Sequence, residues 1–490
     1  MSWNYEEMYS ELLKVDDGLV KEDIISELKR IEANNSKPVV LLKGQELWNT
    51  LKNDFGFIVP LHFITGTNLA DYCKLASEFK RRDAYYKLEH YCNMNTHSKI
   101  GVLFGLRSTG KTIVMQQLAG RGQYIHESAY TTLRYRQCKV WELEKNIKKL
   151  QAAGIKYVFI DEICYAEDFV EYCAGIADNF PSMKIIVSGT DSLSLYLAEN
   201  KTWFHRTETV STTWMSYPEY NRVIGGDILS YLKHGGVFEY TGYNLENYIS
   251  TSVVDNIYNT VMNVHEASIG GETIKALSKQ EFYNIVYAIS ISVTINKITS
   301  KAAEMWGKKF AHGLNKALRA NKLTLIPKAM ESIISNAYPY QINSSVYDKE
   351  VVQTVIMYLK HIDYLTEVPL MGDDGERKLS LIFTQMRILR DFTNNVVNSV
   401  LETSELTSAE RAAVVTSLGN HSDGEILEPV VLLALRRTDQ AKALGTFIEK
   451  FRAIDGSYEI DVIVDIAGKP LTLIEVKLRQ TIGRPLKTHL

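Results

Sequence analysis

Hydrophobic residues follow two different rhythms along this chain. In "EDIISELKRIEANN" they recur every three to four positions, the spacing that lays one apolar stripe along a helix. Residues 1–85 are expected to be a mostly helical segment serving docking or oligomerisation, with no chemistry of its own. From about residue 86 the rhythm changes. Short apolar, β-prone runs ("IGVLF", "QYIHE", "KYVFI", "KIIVSG") alternate with helix-length stretches ("KTIVMQQLAGR", "KVWELEKNIKKLQAAG", "AEDFVEYCAGIADNF"). Strands separated by helices of this length predict a parallel sheet with helices on both faces. Ligands bind such sheets off the carboxyl ends of the strands.

Beyond residue 265 the pattern is mainly helical again. "VVQTVIMYLKHIDYLTEVPLMGDDGERKLSLIFT" reads as a helix followed by a hairpin with its turn at "GDDGE". A helix leading into a hairpin predicts a winged-helix module over residues 265–400. Residues 401–490 return to a mixed pattern and end in two strands, "YEIDVIVDIAG" and "LTLIEVKL". The longest apolar run, "IVYAISISVTI", falls short of the roughly 18 residues that a membrane span needs, so a buried helix or strand is expected and no membrane contact.

Length and charge narrow the picture. A chain of 490 residues exceeds one ordinary core, so about three domains are expected. With 45% apolar residues, 23% charged residues and a formal charge of −3, nothing draws the whole molecule to a polyanion. Any nucleic-acid contact must come from a local basic patch. Residues 301–328 offer one: Lys301, Lys308, Lys309, Lys316, Arg319, Lys322 and Lys328 stand against the single acid Glu304. Clustered cations neutralise phosphates and release counterions, so DNA is a candidate partner; a solvated helix face or a protein contact explains the segment equally well. Five cysteines (Cys73, Cys92, Cys138, Cys164, Cys173) show no metal-ligand spacing. With an acidic, polar N-terminus, they point to free thiols and a cytoplasmic location.

The densest chemistry lies in "GLRSTGKT", residues 105–112. Gly105, Gly110, Lys111 and Thr112 fit G-x-x-x-x-G-K-[ST], between an apolar strand and an amphipathic helix. Four fixed positions recur by chance about 0.02 times in a chain this long. In such a loop (Gly105, Leu106, Arg107, Ser108, Thr109, Gly110, Lys111, Thr112, with Ile113 beyond it) successive N–H groups face phosphate oxygens. Lys111 would reach the β- and γ-phosphates of ATP and Thr112 would ligate Mg²⁺, while the following helix adds its positive end. Fifty residues on, "KYVFIDEI" places Asp161 and Glu162 at a strand tip. The first acid suits Mg²⁺ and the second suits orienting or deprotonating the attacking water. A third strand ends in "IIVSGTDS", where Ser188 or Thr190 could sit between the acid and the γ-phosphate; ordinary turn chemistry accounts for them as well. Arg206, in "WFHRTETV", is either a transition-state cation or a surface arginine.

The order "FGLRSTGKT", "VFIDEI", "IIVSGTDS", "FHRTETVSTTWMSYPEY" and "YLKHGGVFEY" resembles a family of prokaryotic AAA-type ATPases. Its members join a P-loop core to a winged helix and a C-terminal PD-(D/E)xK nuclease-like domain. The resemblance runs from about residue 80 to the end, although its specific motifs all belong to the ATPase. It implies an α/β fold: a P-loop AAA-type core with a parallel sheet at 86–264, a helical and winged-helix domain at 265–400, and a nuclease-like α/β domain at 401–490. It also implies ATP gating a conformational change, favours a functional role for Arg206, in cis or in trans, and leaves a homo-oligomer open.

In the last segment, Asp461 lies on one strand, and Glu475 and Lys477, two apart, share a face of the next. Two acids and a lysine could hold a second Mg²⁺ against a phosphodiester; a solvent-facing charged strand pair is the plainer reading. The resemblance adds Glu428 from the upstream helix. Thirteen residues follow Lys477, where the family's fold continues with a helix and strand, so a clipped, swapped or inactive domain is also expected.

Overall fold

The computed structural model describes residues 3–15, 21–34, 42–55, 57, 61–95, 99–122, 124–133, 138–193, 195, 203, 205–237, 245–263, 274–299, 349–372, 374–375, 377–392, 407–408, 426–437, 446–452 and 459–476. The chain divides into two units, Met1–Thr213 and Trp214–Leu490.

The first unit begins with α1 (Tyr5–Leu13), α2 (Lys21–Asn34) and α3 (Gly44–Phe55). Their apolar stripes close on a small core of Leu12, Ile24, Leu28, Ile31, Trp48 and Leu51. Then comes a six-stranded sheet: β1 (Ile64–Thr65), β2 (Ile100–Phe104), β3 (Ser128–Thr132), β5 (Tyr157–Asp161), β7 (Lys184–Gly189) and β8 (Thr207–Ser211), in the order β1-β3-β5-β7-β2-β8. All neighbours run parallel except β1, which pairs antiparallel with β3. A ribbon of β4 (Cys138–Lys139) and β6 (Ala166–Glu167) stands apart from it.

Strand alternation decides which helix covers which face. Ile100, Val102 and Phe104 of β2 join a core with Leu143, Ile147, Cys173 and Ile176, from α7 (Val140–Ala152) and α8 (Phe169–Asn179). Leu103, between them, turns to the other face and packs with Leu69, Tyr85, Leu88, Val114, Met115 and Leu118, from α4 (Gly66–Glu78), α5 (Asp83–Asn93) and α6 (Lys111–Ala119). Strands apolar on both sides are what a doubly covered parallel sheet needs.

Two expectations shift here. "QYIHE" is not a strand: Ile125–Glu127 form a single 3₁₀ turn, and the strand is the next five residues, "SAYTT". The register decides this, because Ser128 to Thr132 pair in order with Tyr157 to Asp161. The core also starts earlier than residue 86, since β1, α4 and α5 lie within its sheet and helix layers rather than in a separate helical segment.

In the second unit, "SYPEY" is a helix start. Ser216 accepts a hydrogen bond from the Glu219 N–H at 3.4 Å and Pro218 sits in the first turn of α9 (Tyr217–Ile224). Asp227 caps α10 (Ile228–His234) in the same way, accepting from Ser230 N at 2.8 Å. A short helix α11 (Leu245–Tyr248) passes through a π turn, Ile249–Val254, into α12 (Asp255–Asn263). The run "IVYAISISVTI" lies within α13 (Lys279–Thr299), and no helix among the described residues is long and apolar enough to cross a membrane.

The expected helix and hairpin are α14 (Lys349–His361) with β9 (Leu365–Met371) and β10 (Arg377–Phe383), closed by a Gly375 N to Gly372 O bond of 3.1 Å. The hairpin does not stand apart as a wing. β9 pairs in parallel with β11 (Thr446–Arg452), followed by β12 (Glu459–Ile466) and β13 (Thr472–Ile474), giving one sheet ordered β10-β9-β11-β12-β13. That sheet crosses the boundary expected at residue 400. Its one face is packed by Leu432, from helical residues 426–436, against Val368, Ile448 and Val462. The basic segment 301–328 lies outside the described residues.

Candidate functional site: a phosphate loop facing two acids

β2 delivers the chain into the loop at residue 105 and α6 takes it out at residue 111. Gly105 passes so close to the residue after β8 that a Cβ would meet Thr212 O at 2.1 Å. Gly110 has φ +82°, which an L side chain rarely adopts, and it opens α6 as its N-cap residue. The α6 start therefore aims unsatisfied backbone N–H groups at the loop's interior. Leu106 and Thr109 are buried, Arg107, Gly110 and Ile113 half-buried, and Ser108, with φ +63°, is exposed.

Lys111 folds back onto its own loop, donating to the carbonyls of Gly105 at 2.7 Å and Leu106 at 2.8 Å. It is 4% exposed. Burial pushes its ammonium down to about 8, opposed by the nearby charges of Glu162 and Asp161.

Because β7 lies between β2 and β5, the tips of three adjacent strands meet beside the loop. Asp161, 2% exposed at the end of β5, is the hub. Its Oδ2 accepts from Thr112 Oγ1 at 2.8 Å and from the Tyr130 hydroxyl at 3.0 Å. Its Oδ1 accepts from Ser188 Oγ at the end of β7. Glu162 follows in a left-handed conformation, φ +59°, which turns its side chain off the strand. Its Oε2 accepts from both the N–H (3.1 Å) and the Oγ1 (2.8 Å) of Thr190. Burial first, and then the Asp161 charge beside it, raise the Glu162 carboxyl above the ordinary range.

The structure thus brings Lys111, Thr112, Asp161, Glu162 and Ser188 to one place. Of the two hydroxyls at the end of β7, Ser188 bonds Asp161 and Thr190 bonds Glu162. Three participants were not singled out from sequence. Tyr130 was hidden by the misplaced strand; its hydroxyl is raised well above its usual range by burial and by Asp161. Thr212 offers no pattern at all, since only its approach to Gly105 reveals it. Arg82, 3% exposed, reaches the loop from before the first main strand; its signal was a charged residue at the start of an amphipathic helix.

Arg206 does not join this site in its own chain. It precedes β8, its carbonyl accepts from Ile100 N at 3.0 Å, and its guanidinium pairs with Asp178 at 3.3 Å. That is the amino end of the strand next to β2, whereas the loop leaves the carboxyl end, a five-residue strand or about 16 Å away.

Residues 97–221 match the family model of an AAA domain. Among solved structures, the chain is similar to PCH-2 from C. elegans, at 14% identity and a TM-score of 0.21, covering 46% of this chain and 60% of that one. It is also similar to the Hsp104–ADP complex of S. cerevisiae, at 10% identity and a TM-score of 0.22, covering 80% of this chain and 50% of that one. The chain therefore spans some half to three fifths of the structures it matches, and the site's geometry, not these superpositions, carries the functional reading. No curated protein matches. The matched segment contains every residue of the site except Arg82.

In the second unit the expected acids divide: the antiparallel register of β12 and β13, continued by one residue, sets Asp461 opposite Glu475, and Glu428 stands apart from both. Glu428 pairs with Lys450 at 2.8 Å on the face covered by helical residues 426–436. Asp461 precedes Val462 of that face, so alternation turns it to the other side, where its Oδ2 accepts from Val476 N at 2.7 Å. Glu475 is exposed and Lys477 lies outside the described residues. Among the described residues no group of three or more acids, histidines or cysteines could hold a metal.

Proposed function

We propose that this chain binds Mg·ATP across residues 105–112 and hydrolyses it, with Glu162 as the base. The observation that supports this most is the meeting of Thr112, Tyr130 and Ser188 on Asp161, beside a buried Lys111 and next to a Glu162 held by Thr190. Thr112 Oγ1 and Asp161 Oδ2 form an all-oxygen pair that fits a hard divalent cation. When bound, magnesium supplies positive charge against the β- and γ-phosphate oxygens.

The chain's own groups do the rest. Lys111 exchanges two loop carbonyls for phosphate oxygens. The N–H groups from Gly105 to Thr112 orient the phosphates. Glu162, with Oε2 fixed by Thr190, presents Oε1 to the attacking water and takes its proton. Ser188 keeps Asp161 in the orientation Thr112 requires.

Arg206, remote from its own loop, is assigned to the nucleotide of a neighbouring copy, which makes the working form a homo-oligomer. The finer reading is an ATP switch acting on or regulated by nucleic acid through residues 301–328, whose surplus of six positive charges stands in a net acidic chain. The alternative is a switch for protein partners, with the five-stranded sheet as a non-catalytic module; the separation of Glu428 from Asp461 favours that role for the sheet over a working nuclease. Phosphate release titrated with duplex and single-stranded DNA separates the two. Stimulation that disappears steeply with added salt supports the nucleic-acid switch, and indifference to DNA supports the protein-partner switch.

A further inference from the structure

We propose that Arg82 is a positioning residue that presets the nucleotide loop and ties it to Thr213, the residue at which the first unit ends. This rests on the ATP reading above. One arm of its guanidinium donates to the carbonyl of Thr109, within the loop, and the other to the carbonyl of Thr213 at 3.1 Å. A guanidinium is a rigid planar fork with five donors, so it can serve two carbonyls at once where a lysine offers a single point. A buried cation loses its water, and carbonyl acceptors are what make its position tenable.

The geometry acts on the loop through the peptide plane. In a trans peptide the carbonyl and the following N–H point in opposite directions. With Thr109 O drawn to Arg82, the Gly110 N–H is turned away from Arg82, and Gly110 is the residue that opens α6. Arg82 thus fixes the aim of a phosphate-facing donor without touching phosphate itself.

The other end of the tie is also braced. Thr109 Oγ1 meets Thr212 Oγ1 at 2.8 Å, and Thr212 N donates to Phe104 O at 2.7 Å, at the point where Gly105 leaves no room for a side chain. Three contacts of independent kinds (the arginine fork, a hydroxyl pair and a backbone approach) lock residues 104–109 to residues 212–213. From Thr213 the chain passes directly to Trp214, the first residue of the second unit, whose carbonyl is held by Arg437 at 2.8 Å. A change in the loop when phosphate arrives is therefore felt at the exit from the first unit.

The test uses the full chain as wild type, R82Q and R82K, with three readouts: the Kd for Mg·ATP, kcat at saturating ATP, and amide exchange of peptides covering residues 105–112 and 207–214 with and without nucleotide. R82Q is expected to weaken ATP binding about ten- to hundredfold while keeping kcat within about threefold, because a donor's aim is lost and no reacting group is removed. R82K is expected to fall between the two. In the wild type, nucleotide slows exchange in both peptides; in R82Q it slows the first and no longer the second. If R82Q does not give a cooperative melt, R82K decides alone, and a wild-type Kd in R82K overturns the proposal. Wild-type affinity in both variants, with both peptides still protected, overturns the proposal and leaves the ATP reading standing. A wild-type chain that binds no Mg·ATP overturns both.

Discussion

Glu162, half-buried, and Lys111, buried, are two charges held away from their ordinary titration ranges, and each gives a measurable consequence. Glu162 binds its proton more tightly in the folded chain than in the unfolded one. Its contribution to stability is therefore present at low pH and lost as pH rises through the raised value. Glu162→Gln removes a carboxylate that is costly at neutral pH, so a higher Tm is expected together with a turnover reduced about 10²–10⁴-fold and retained ATP binding. A lower Tm with retained turnover would contradict both its strain and its role as base. The wild-type rate should also fall, as pH is lowered, at a higher pH than an ordinary glutamate would dictate. Lys111 behaves in the opposite sense. Burial holds it near 8 in the free chain, and phosphate oxygens would raise it. ATP binding is then expected to take up a proton above pH 8, with affinity falling by up to about tenfold per pH unit. Calorimetry in buffers of different ionisation heat measures this uptake, and its absence between pH 8 and 9 would mean that Lys111 does not meet phosphate.

At the scale of elements, the tip of β7 serves two acids through residues two apart, and the two substitutions there should separate. Ser188→Ala frees Asp161 Oδ1 and is expected to raise the Mg²⁺ concentration needed for half-maximal rate. Thr190→Val removes one of two bonds on Glu162 and is expected to lower kcat about tenfold at unchanged Mg²⁺ requirement. The same Mg²⁺ profile in both variants would contradict the division. This strand was legible in the sequence residue for residue, as was β2, and β5 to within one residue, because fully buried strands leave unbroken apolar runs. β3 was not. "SAYTT" carries small and hydroxylic side chains and borrows its place from pairing with β5, so the more apolar "QYIHE" beside it gave the stronger local signal. The hairpin was legible as a hairpin, but its neighbour β11 is 63 residues on in the chain, and no local pattern announces a parallel partner at that distance. Ser188, Asp161 and Glu162 could be read from strand ends. Tyr130, Arg82 and Thr212 could not, since each matters through an atom brought near by the fold.

For the whole molecule, the position of Arg206 separates a self-contained site from a shared one. An arginine at the amino end of β8, one strand length from the loop at the carboxyl end of β2, would meet a terminal phosphate only in another copy. Mixing Arg206→Ala with Lys111→Ala tests this. Each variant alone is expected to be inactive, and the mixture to recover a fraction of activity, because the Arg206→Ala copy supplies an intact loop and the Lys111→Ala copy supplies the arginine. No recovery in a mixture shown to co-assemble would return Arg206 to its pairing with Asp178 as a surface contact.

The most direct measurement is of retained labelled ATP and released phosphate for wild type, Lys111→Ala and Glu162→Gln, with and without Mg²⁺. The expected outcome is Mg²⁺-dependent retention and release by the wild type, neither by Lys111→Ala, and retention without release by Glu162→Gln. A wild type that neither holds nucleotide nor releases phosphate, or a Lys111→Ala chain that does both as well as the wild type, would contradict the account.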